Sequence, residues 1–570
     1  MARRVVYSIF VQPEFDEEGN HDSAHLDLFS LHSEKLIESK EQYTKNIGAD
    51  WIFFQDLEKI QEFKEKFSID TVYNAVNLYK IFMFEELSKK YDEVLYLDFD
   101  VVPKTRLNFF EEVDLSEKIW CLDQQDRIDE AHWKIFRNRR DPTLKYLHAK
   151  AITGLEHTTL NTAVLAGSSR VISNIGFMDK LPRYIEDTNN KKGCELYGIG
   201  DEISHNNEAF FSAAIEESGV EIQNEDRTWH YRVDHKALEP PSAYDFVEDL
   251  ESAKFLHFIN KNFGVYFGTV KRVVYSMNVV IPKELNDLAG KYMGDDIDKT
   301  ERTTIEFEKW GDRLIANKKA YADHIGADYI HFEEDERYHA FRERCRKAVP
   351  DMSEYNVVNF YKIWLAYELT REGYDQVLYL DHDVVVNTKA DFFMVFNLEI
   401  QACCNFAQEF KRNAYERAAA LPRTQLPGFI YNFRSPDAKY WNCHAMLEED
   451  GMEGKNNVYN TGIFAASRNI LDRIGYFDDF EEVLDLMTRC KEDEFSMYQD
   501  AIRLSFGYDN ETVFSYKVQV NEVPVYNLST EYWHFKADHH YTGRVEELQK
   551  ARPALYHMIN KQFEDVKHAL

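Results

Sequence analysis

The chain repeats itself at the scale of a whole domain, and that repeat limits it to two copies of one fold. Residues 91–102 read YDEVLYLDFDVV and residues 374–385 read YDQVLYLDHDVV. VVYS begins at Val5 and again at Val273 (offset 268), IGAD at Ile47 and Ile325 (278), and YN-x-VN-x-YKI at Tyr73 and Tyr355 (282). Asp98 is answered by Asp381 (283), Asn161 by Asn460 (299), His257 by His557 (300) and Trp229 by Trp533 (304). The order never changes, and the drifting offsets record changes of loop length. Repeats of this length are too long for a solenoid and fit tandem domains. The expected division is 1–268 and 269–570.

Composition agrees with two packed domains: 44% hydrophobic and 14% aromatic residues, with 13 Pro and 23 Gly in 570 residues, leave little room for disorder. The 68 basic and 100 acidic residues give a net charge of −32, which disfavours nucleic acid and anionic membrane as partners. Two basic strips, 134–140 and 342–347, are the candidate exceptions, and each reads more simply as a solvated face. No apolar stretch is long enough to span a bilayer, and the apolar run near the N-terminus reads as a first strand, so the expected location is cytoplasmic. Cys121, Cys194, Cys345, Cys403, Cys404, Cys443 and Cys490 form no spaced zinc pattern and are odd in number, which fits a reducing compartment. Cys403 and Cys404 read as core packing.

Within each copy, strand and helix patterns alternate. In the first, residues 5–10 read as a strand, 30–47 as a helix, 49–54 as a strand, 72–90 as a helix and 93–97 as a buried strand. Alternation of this kind predicts an α/β class with a mostly parallel sheet in each of two tandem units, where ligands bind beyond the carboxyl ends of the strands. Asp98 with Asp100, and Asp381 with Asp383, stand at that place. On extended chain, residues i and i+2 point to the same side. Each pair can therefore offer two carboxylates to one hard divalent cation. An Asp-x-Asp alone is a weak signal, common on loops and caps; behind the same VLYLD strand twice, it is a strong one.

The ordered set of IGAD, a helix carrying Tyr-Lys-Ile, YDxVLYLDxDVV, Asn-Thr-x and LxxAKxLHFxNK resembles the GT-A glycosyltransferases, specifically the glycogenin and galactosyltransferase-like group known as glycosyltransferase family 8. The resemblance covers most of both halves. It implies tandem Rossmann-like GT-A domains, a nucleoside-diphosphate sugar as donor, a divalent cation, commonly Mn²⁺ with Mg²⁺ as the alternative, and retention of anomeric configuration. It further implies that Asp100 and Asp383 ligate the metal directly and that Asp98 and Asp381 share the metal and the ribose. His257 and His557 complete the metal site, with His230 and His534 as rivals that would line the acceptor side beside Trp229 and Trp533. Lys261 and Lys561 are implied to hold the diphosphate, although the Gly and Pro-Trp that surround this Lys in the family are missing. Lys80 and Lys362 are implied to reach the donor phosphates; the plainer reading is a snorkelling surface lysine.

Asn161 and Asn460 open an Asn-Thr-x turn that in the family borders the transferred sugar. The second copy keeps Gly462, whereas the first has Ala163. For the acceptor proton the candidates are Glu208 and Asp500, aligned at offset 292, with Asp201 and Asp493 behind them. An acid-rich helix N-terminus explains the same residues, and retaining transfer needs no strong base if the departing diphosphate takes the proton.

The reaction implied is sugar transfer from a nucleotide sugar to a glycan or other hydroxyl acceptor, at two catalytic modules. One alternative keeps the chemistry and makes modified DNA bases the acceptor, which requires a basic groove beside the metal. Another makes one module a binding or scaffold domain. Residues 123–160 and 406–458 are the expected pocket walls. Cys121 to Thr162 spans 42 residues and Cys404 to Thr461 spans 58, so the two modules are expected to take different acceptors.

Overall fold

The two VVYS segments, apolar and β-branched, form the strands around which the two sheets are built. In the computed structural model, which describes residues 2–11, 23–124, 141–156, 159–199, 203–223, 226–233, 250–282, 299–408, 443–452, 457–492, 508–528, 533–537 and 553–570, the chain separates into two compact units that change over between Phe263 and Gly264. The first contains β1 (Arg4–Ile9), β2 (Asp50–Phe54), β3 (Glu93–Leu97), β4 (Val101–Pro103), β5 (Ile119–Asp123), β6 (Leu160–Ser168), β7 (Ile222–Gln223), β8 (Tyr231–Val233) and β9 (Phe255–Phe258). The second contains β10 (Arg272–Met277), β11 (Asp328–Phe332), β12 (Gln376–Leu380), β13 (Val384–Val386), β14 (Ala402–Gln408), β15 (Val458–Ser467), β16 (Val525–Asn527), β17 (Phe535–Lys536) and β18 (Leu555–His557).

The six-stranded sheets have the orders β2-β1-β3-β6-β5-β7 and β11-β10-β12-β15-β14-β16. In each, only the fourth strand in that order runs against its neighbours, so the sheets are mostly parallel as the alternating pattern predicts. A three-stranded sheet accompanies each, β4-β9-β8 and β13-β18-β17.

The repeated motifs are the joints of this frame. The helices Ser23–Ile47 and Lys299–Ile325 end at Gly48 and Gly326, both at φ 67°, where the left-handed backbone favours glycine. IGAD is thus a helix stop followed by a strand start. The first helix begins before residue 30 because no Gly or Pro interrupts the chain between Asn20 and Gly48. Thr71 and Ser353 cap the helices Val72–Ser88 and Glu354–Arg371 by accepting from the Asn74 and Asn356 N–H groups. The VVYS tyrosines then tie sheet to helix: Tyr7 Oη donates to the Lys80 carbonyl at 2.6 Å and Tyr275 Oη to that of Lys362 at 2.8 Å.

All seven cysteines are buried and none forms a disulfide. No described helix is long and apolar enough to cross a membrane. The three arginines of the basic strip at 342–347 are all in ion pairs, Arg342 and Arg346 with Glu354 and Arg344 with Glu481. The strip at 134–140 lies outside the described residues.

Leu95, fully buried on β3, packs with Val6, Val101 and Trp120. Leu95→Ala should lower stability by about 2–5 kcal/mol. Leu31→Ala, at a position 74% exposed on the first helix, should change it by less than about 0.5 kcal/mol. Urea unfolding of the two variants checks both figures.

Candidate metal and diphosphate site

Each site begins where the central parallel strand ends. Beyond β3 the Asp98 N–H donates to the Ala163 carbonyl at 2.7 Å, and the Val101 N–H closes a turn onto the Asp98 carbonyl at 3.0 Å. The chain leaves that turn as β4, which pairs antiparallel with β9 so that Val101 lies opposite His257. This register sets His257 Nε2 3.4 Å from Asp100 Oδ1. The second unit repeats it: Asp381 N–H bonds the Gly462 carbonyl at 2.8 Å, Val384 lies opposite His557, and His557 Nε2 is 3.5 Å from Asp383 Oδ1 and 3.7 Å from Asp381 Oδ2. In both units one ligand atom from each of the two aspartates and the histidine falls within 4.8 Å of the others.

Two carboxylates and an imidazole form a donor set that suits a hard or borderline divalent cation such as Mn²⁺ or Mg²⁺. The two late histidines of each unit divide the work. His230 Nε2 lies 2.9 Å from His257 Nδ1, and His534 Nε2 lies 3.0 Å from His557 Nδ1. His257 and His557 are therefore the inner pair, and His230 and His534 buttress them from behind. Burial, then the adjacent His257 or His557, holds both outer imidazoles well below their ordinary pKa, so they are neutral. Such a neighbour orients a ligating imidazole and fixes its tautomer.

Positive charge reaches the acids from two lysines in each unit. Lys261 and Lys561 form ion pairs with Asp100 and Asp383 and occupy the left-handed backbone region at φ 59°. Burial alone would raise the pKa of Asp100 and Asp383, but the lysine and the histidine beside each hold it well below the carboxylate range. Lys80 is not a surface lysine: it is 3% exposed and donates to Asp98 Oδ1 and Oδ2 at 3.2 and 3.3 Å. Lys362 is equally buried, with Nζ 3.6 Å from Asp381 Oδ1. Both belong to the site because the helix that carries them packs against the sheet. Tyr96 and Tyr379 donate to the first aspartate of each pair.

Two further lysines complete the arrangement. Lys40 Nζ donates to the Phe99 carbonyl at 2.8 Å, and Lys318 Nζ to the His382 carbonyl at 2.9 Å. Each thereby grips the peptide between the two aspartates. Burial lowers both lysines to a pKa of about 7 against the opposing pull of the aspartates. A signal for them exists in the sequence, because each stands seven residues before the isoleucine of IGAD (47 − 40; 325 − 318).

Asn161 and Asn460 lie within β6 and β15 rather than opening turns. Their side-chain oxygens accept from the N–H two residues on, Ala163 at 3.0 Å and Gly462 at 3.1 Å. The partner strand shifts register beside each Asn, forming a bulge. The local side-chain bond that sequence reading takes for a turn is here part of an irregular strand.

Glu208 is buried on the helix Asn207–Ser218, where it accepts from the Thr162 N–H at 3.1 Å and from Lys145 Nζ at 2.6 Å. Burial would raise its pKa; Lys145, followed by Lys80 and the Thr162 N–H, outweighs that and keeps it ionised. Its counterpart is Glu511, which accepts from the Thr461 N–H at 3.2 Å and from Asn460 Nδ2 at 2.8 Å. Asn207 and Asn510 each donate to the matching threonine hydroxyl at 2.6 Å. The pairing of Glu208 with Asp500 is thereby corrected: by these contacts the offset is 303 (511 − 208), not 292. Asp500, Asp493 and Asp201 lie outside the described residues, as do residues 125–140 of the first expected pocket wall and most of the second.

No protein-family model matches the chain, and no curated protein matches it. Similar solved structures include a glycosyltransferase involved in the glycosylation of the major capsid of PBCV-1, at 13% identity over 45% of this chain and 93% of that one, TM-score 0.24. Apo mouse xyloside xylosyltransferase 1 matches at 12% identity over 45% of this chain and 98% of that one, TM-score 0.27. The apo WbbM bifunctional glycosyltransferase matches at 10% identity over 87% of this chain and 90% of that one, TM-score 0.25.

Lys40→Met or Lys318→Met should leave a buried carbonyl between the aspartates without its donor, at a cost of about 1–3 kcal/mol. Cation binding should weaken in the altered unit alone. Urea unfolding and a Mn²⁺ titration of each variant check the two effects.

Proposed function

We propose that the chain is a GT-A glycosyltransferase of the family 8 type, with two metal-dependent modules, 1–268 and 269–570. Each takes a sugar from a nucleoside-diphosphate donor to a hydroxyl of a glycan or similar acceptor, with retention. The observation that carries this reading is the duplicated cluster itself. Two carboxylates, an imidazole and two lysines meet at the carboxyl edge of a mostly parallel sheet, the edge at which α/β folds bind ligands.

A Mn²⁺ or Mg²⁺ held by Asp98, Asp100 and His257, or by Asp381, Asp383 and His557, would supply Lewis-acid stabilisation of the departing diphosphate. The remaining work falls to the chain's own residues. Lys261 and Lys561, each on an aspartate, are within a side-chain movement of a diphosphate beside that aspartate, where an ammonium offsets the charge that develops as the anomeric bond breaks. Lys80 and Lys362 neutralise the first aspartate of each pair and keep its oxygens aimed outward. Asn161 and Asn460, set by the bulge, border the transferred sugar. Glu208 and Glu511, which accept from the Thr162 and Thr461 N–H groups, are the acids proposed for the acceptor side, with Asp201, Asp493 and Asp500 as the further candidates. With retention, the acceptor proton passes to the leaving diphosphate, so an ionised and fully bonded Glu208 fits a positioning role better than that of a strong base.

Nucleic acid as acceptor is not favoured, because the net charge is −32 and the three arginines of the strip at 342–347 are held in ion pairs with Glu354 and Glu481. A purely scaffolding role for one module is not favoured either, since both units keep every member of the cluster.

Asp100→Asn and Asp383→Asn remove charge without removing volume. Each should cut one donor-dependent activity by about a hundredfold or more and leave the other. In a thermal-shift screen with Mn²⁺, a bound nucleotide sugar should stabilise the wild type by about 2.7 kcal/mol at a hundredfold excess over Kd. Turnover within a factor of two of wild type in both variants overturns the assignment.

A further inference from the structure

Among the described residues, one position of the cluster's lining that differs between the units is the one whose carbonyl meets the first aspartate's N–H. It is Ala163 in the first and Gly462 in the second, and in both the carbonyl accepts the aspartate N–H. A Cβ at Gly462 would stand 2.2 Å from His557 Cε1, 2.7 Å from Asp381 Oδ2 and 3.0 Å from His557 Nδ1. No carbon can be so placed without moving the histidine or the aspartate. The first unit carries that carbon, buried, at the same point of the same strand pairing.

The neighbouring contacts differ in the sense a wedge would impose. In the second unit His557 Nε2 reaches both Asp381 and Asp383, at 3.7 and 3.5 Å. In the first, among the described residues, the ion-pair contact of His257 is with Asp100 alone, at 3.4 Å. Lys80 bonds both oxygens of Asp98, at 3.2 and 3.3 Å, whereas Lys362 stays 3.6 Å from Asp381. Asp98 and His257 still lie within 4.8 Å of one another, so the difference at the alanine is a looser approach of aspartate to histidine and a closer one of aspartate to lysine.

We propose that this position sets how each module holds its cation. The second module, with glycine, has a preformed seat of three protein ligands that takes a divalent cation without donor. The first module, with alanine, offers Asp100 and His257 with Asp98 committed to Lys80, and takes its cation tightly only when a donor's diphosphate oxygens complete the coordination. Cation affinity follows the number and charge of ligands already in place. The inference rests on the metal-dependent reading above and adds an ordered difference between the two modules.

Mn²⁺ titration of the full chain, followed by electron paramagnetic resonance of the free ion and by calorimetry, tests it without any turnover. In the wild type with Mn²⁺ alone, one site should bind tightly and the second about tenfold or more weakly. Ala163→Gly should yield two tight sites. Gly462→Ala should abolish the tight one. If Gly462→Ala fails to fold, judged by circular dichroism, Ala163→Gly decides alone, since it removes only a methyl group. Two equal sites in the wild type, or a second site unmoved by Ala163→Gly, overturn the proposal while leaving metal dependence standing. No binding of Mn²⁺ or Mg²⁺ by any variant overturns the metal reading itself.

Discussion

The antiparallel pairing of β4 with β9, and of β13 with β18, is the contact on which each site depends. These strands are three or four residues long, yet they carry the register that sets Val101 against His257 and Val384 against His557. Asp100 and His257 are 157 residues apart in sequence (257 − 100), and the closing of so long a loop is opposed by chain entropy. What offsets that entropy is the apolar content of the short strands: Val101, Phe255 and Trp229 belong to one buried cluster, and in the second unit Val385 and Tyr556 belong to another. The metal-binding geometry is thus an outcome of hydrophobic packing a residue away from the charges.

Packing of this kind brings charges together in a poorly solvated place, where an unpaired carboxylate is costly. Each unit meets the difficulty with an alternation of sign. Two aspartates face two ammonium groups, Lys80 and Lys261 or Lys362 and Lys561, and a third lysine bonds the peptide between them. The outer histidine stays neutral, which leaves the inner one to respond to the acids or to a cation. A cation held by this cluster would take the place of the lysine now paired with Asp100 or Asp383, and that ammonium would be left to meet an accompanying anion.

The parts legible in the sequence were those where local pattern and tertiary role coincide. β3 and its acids could be read because a buried parallel strand is a continuous apolar run and because ligand positions follow its carboxyl end. The inner histidines were legible through their repeated context. Lys40 and Lys318 were not, since a lysine on a helix reads as solvent-facing until the chain's fold buries it against a carbonyl. Lys80 was half legible for the same reason. Glu511 was obscured by the acid-rich stretch just before it, which supplied a plausible match at the wrong offset, and only the threonine N–H and hydroxyl that Glu511 and Asn510 serve identify the right one. Asn161 was read as a turn because its side-chain bond to Ala163 N–H is the same bond a turn would use.

Around an almost constant set of charges, the neutral neighbours have diverged. Phe99, between the aspartates of the first unit, stacks on Phe10 at 4.2 Å and lies 5.7 Å from Phe53. The matching residue of the second unit is His382, which meets Phe307 edge-on at 4.6 Å and His331 at 5.5 Å, with neither ring nitrogen hydrogen-bonded among the described residues. Burial, with Lys318 next in effect, lowers the pKa of His382 to about 2, so the exchange of phenylalanine for histidine alters polarity without altering charge. A charged replacement there would have shifted the balance of the aspartates and lysines, and with it the histidine and the metal seat. Substitution confined to neutral groups lets one duplicated site change what its walls can bond while the electrostatics that hold it together stay the same.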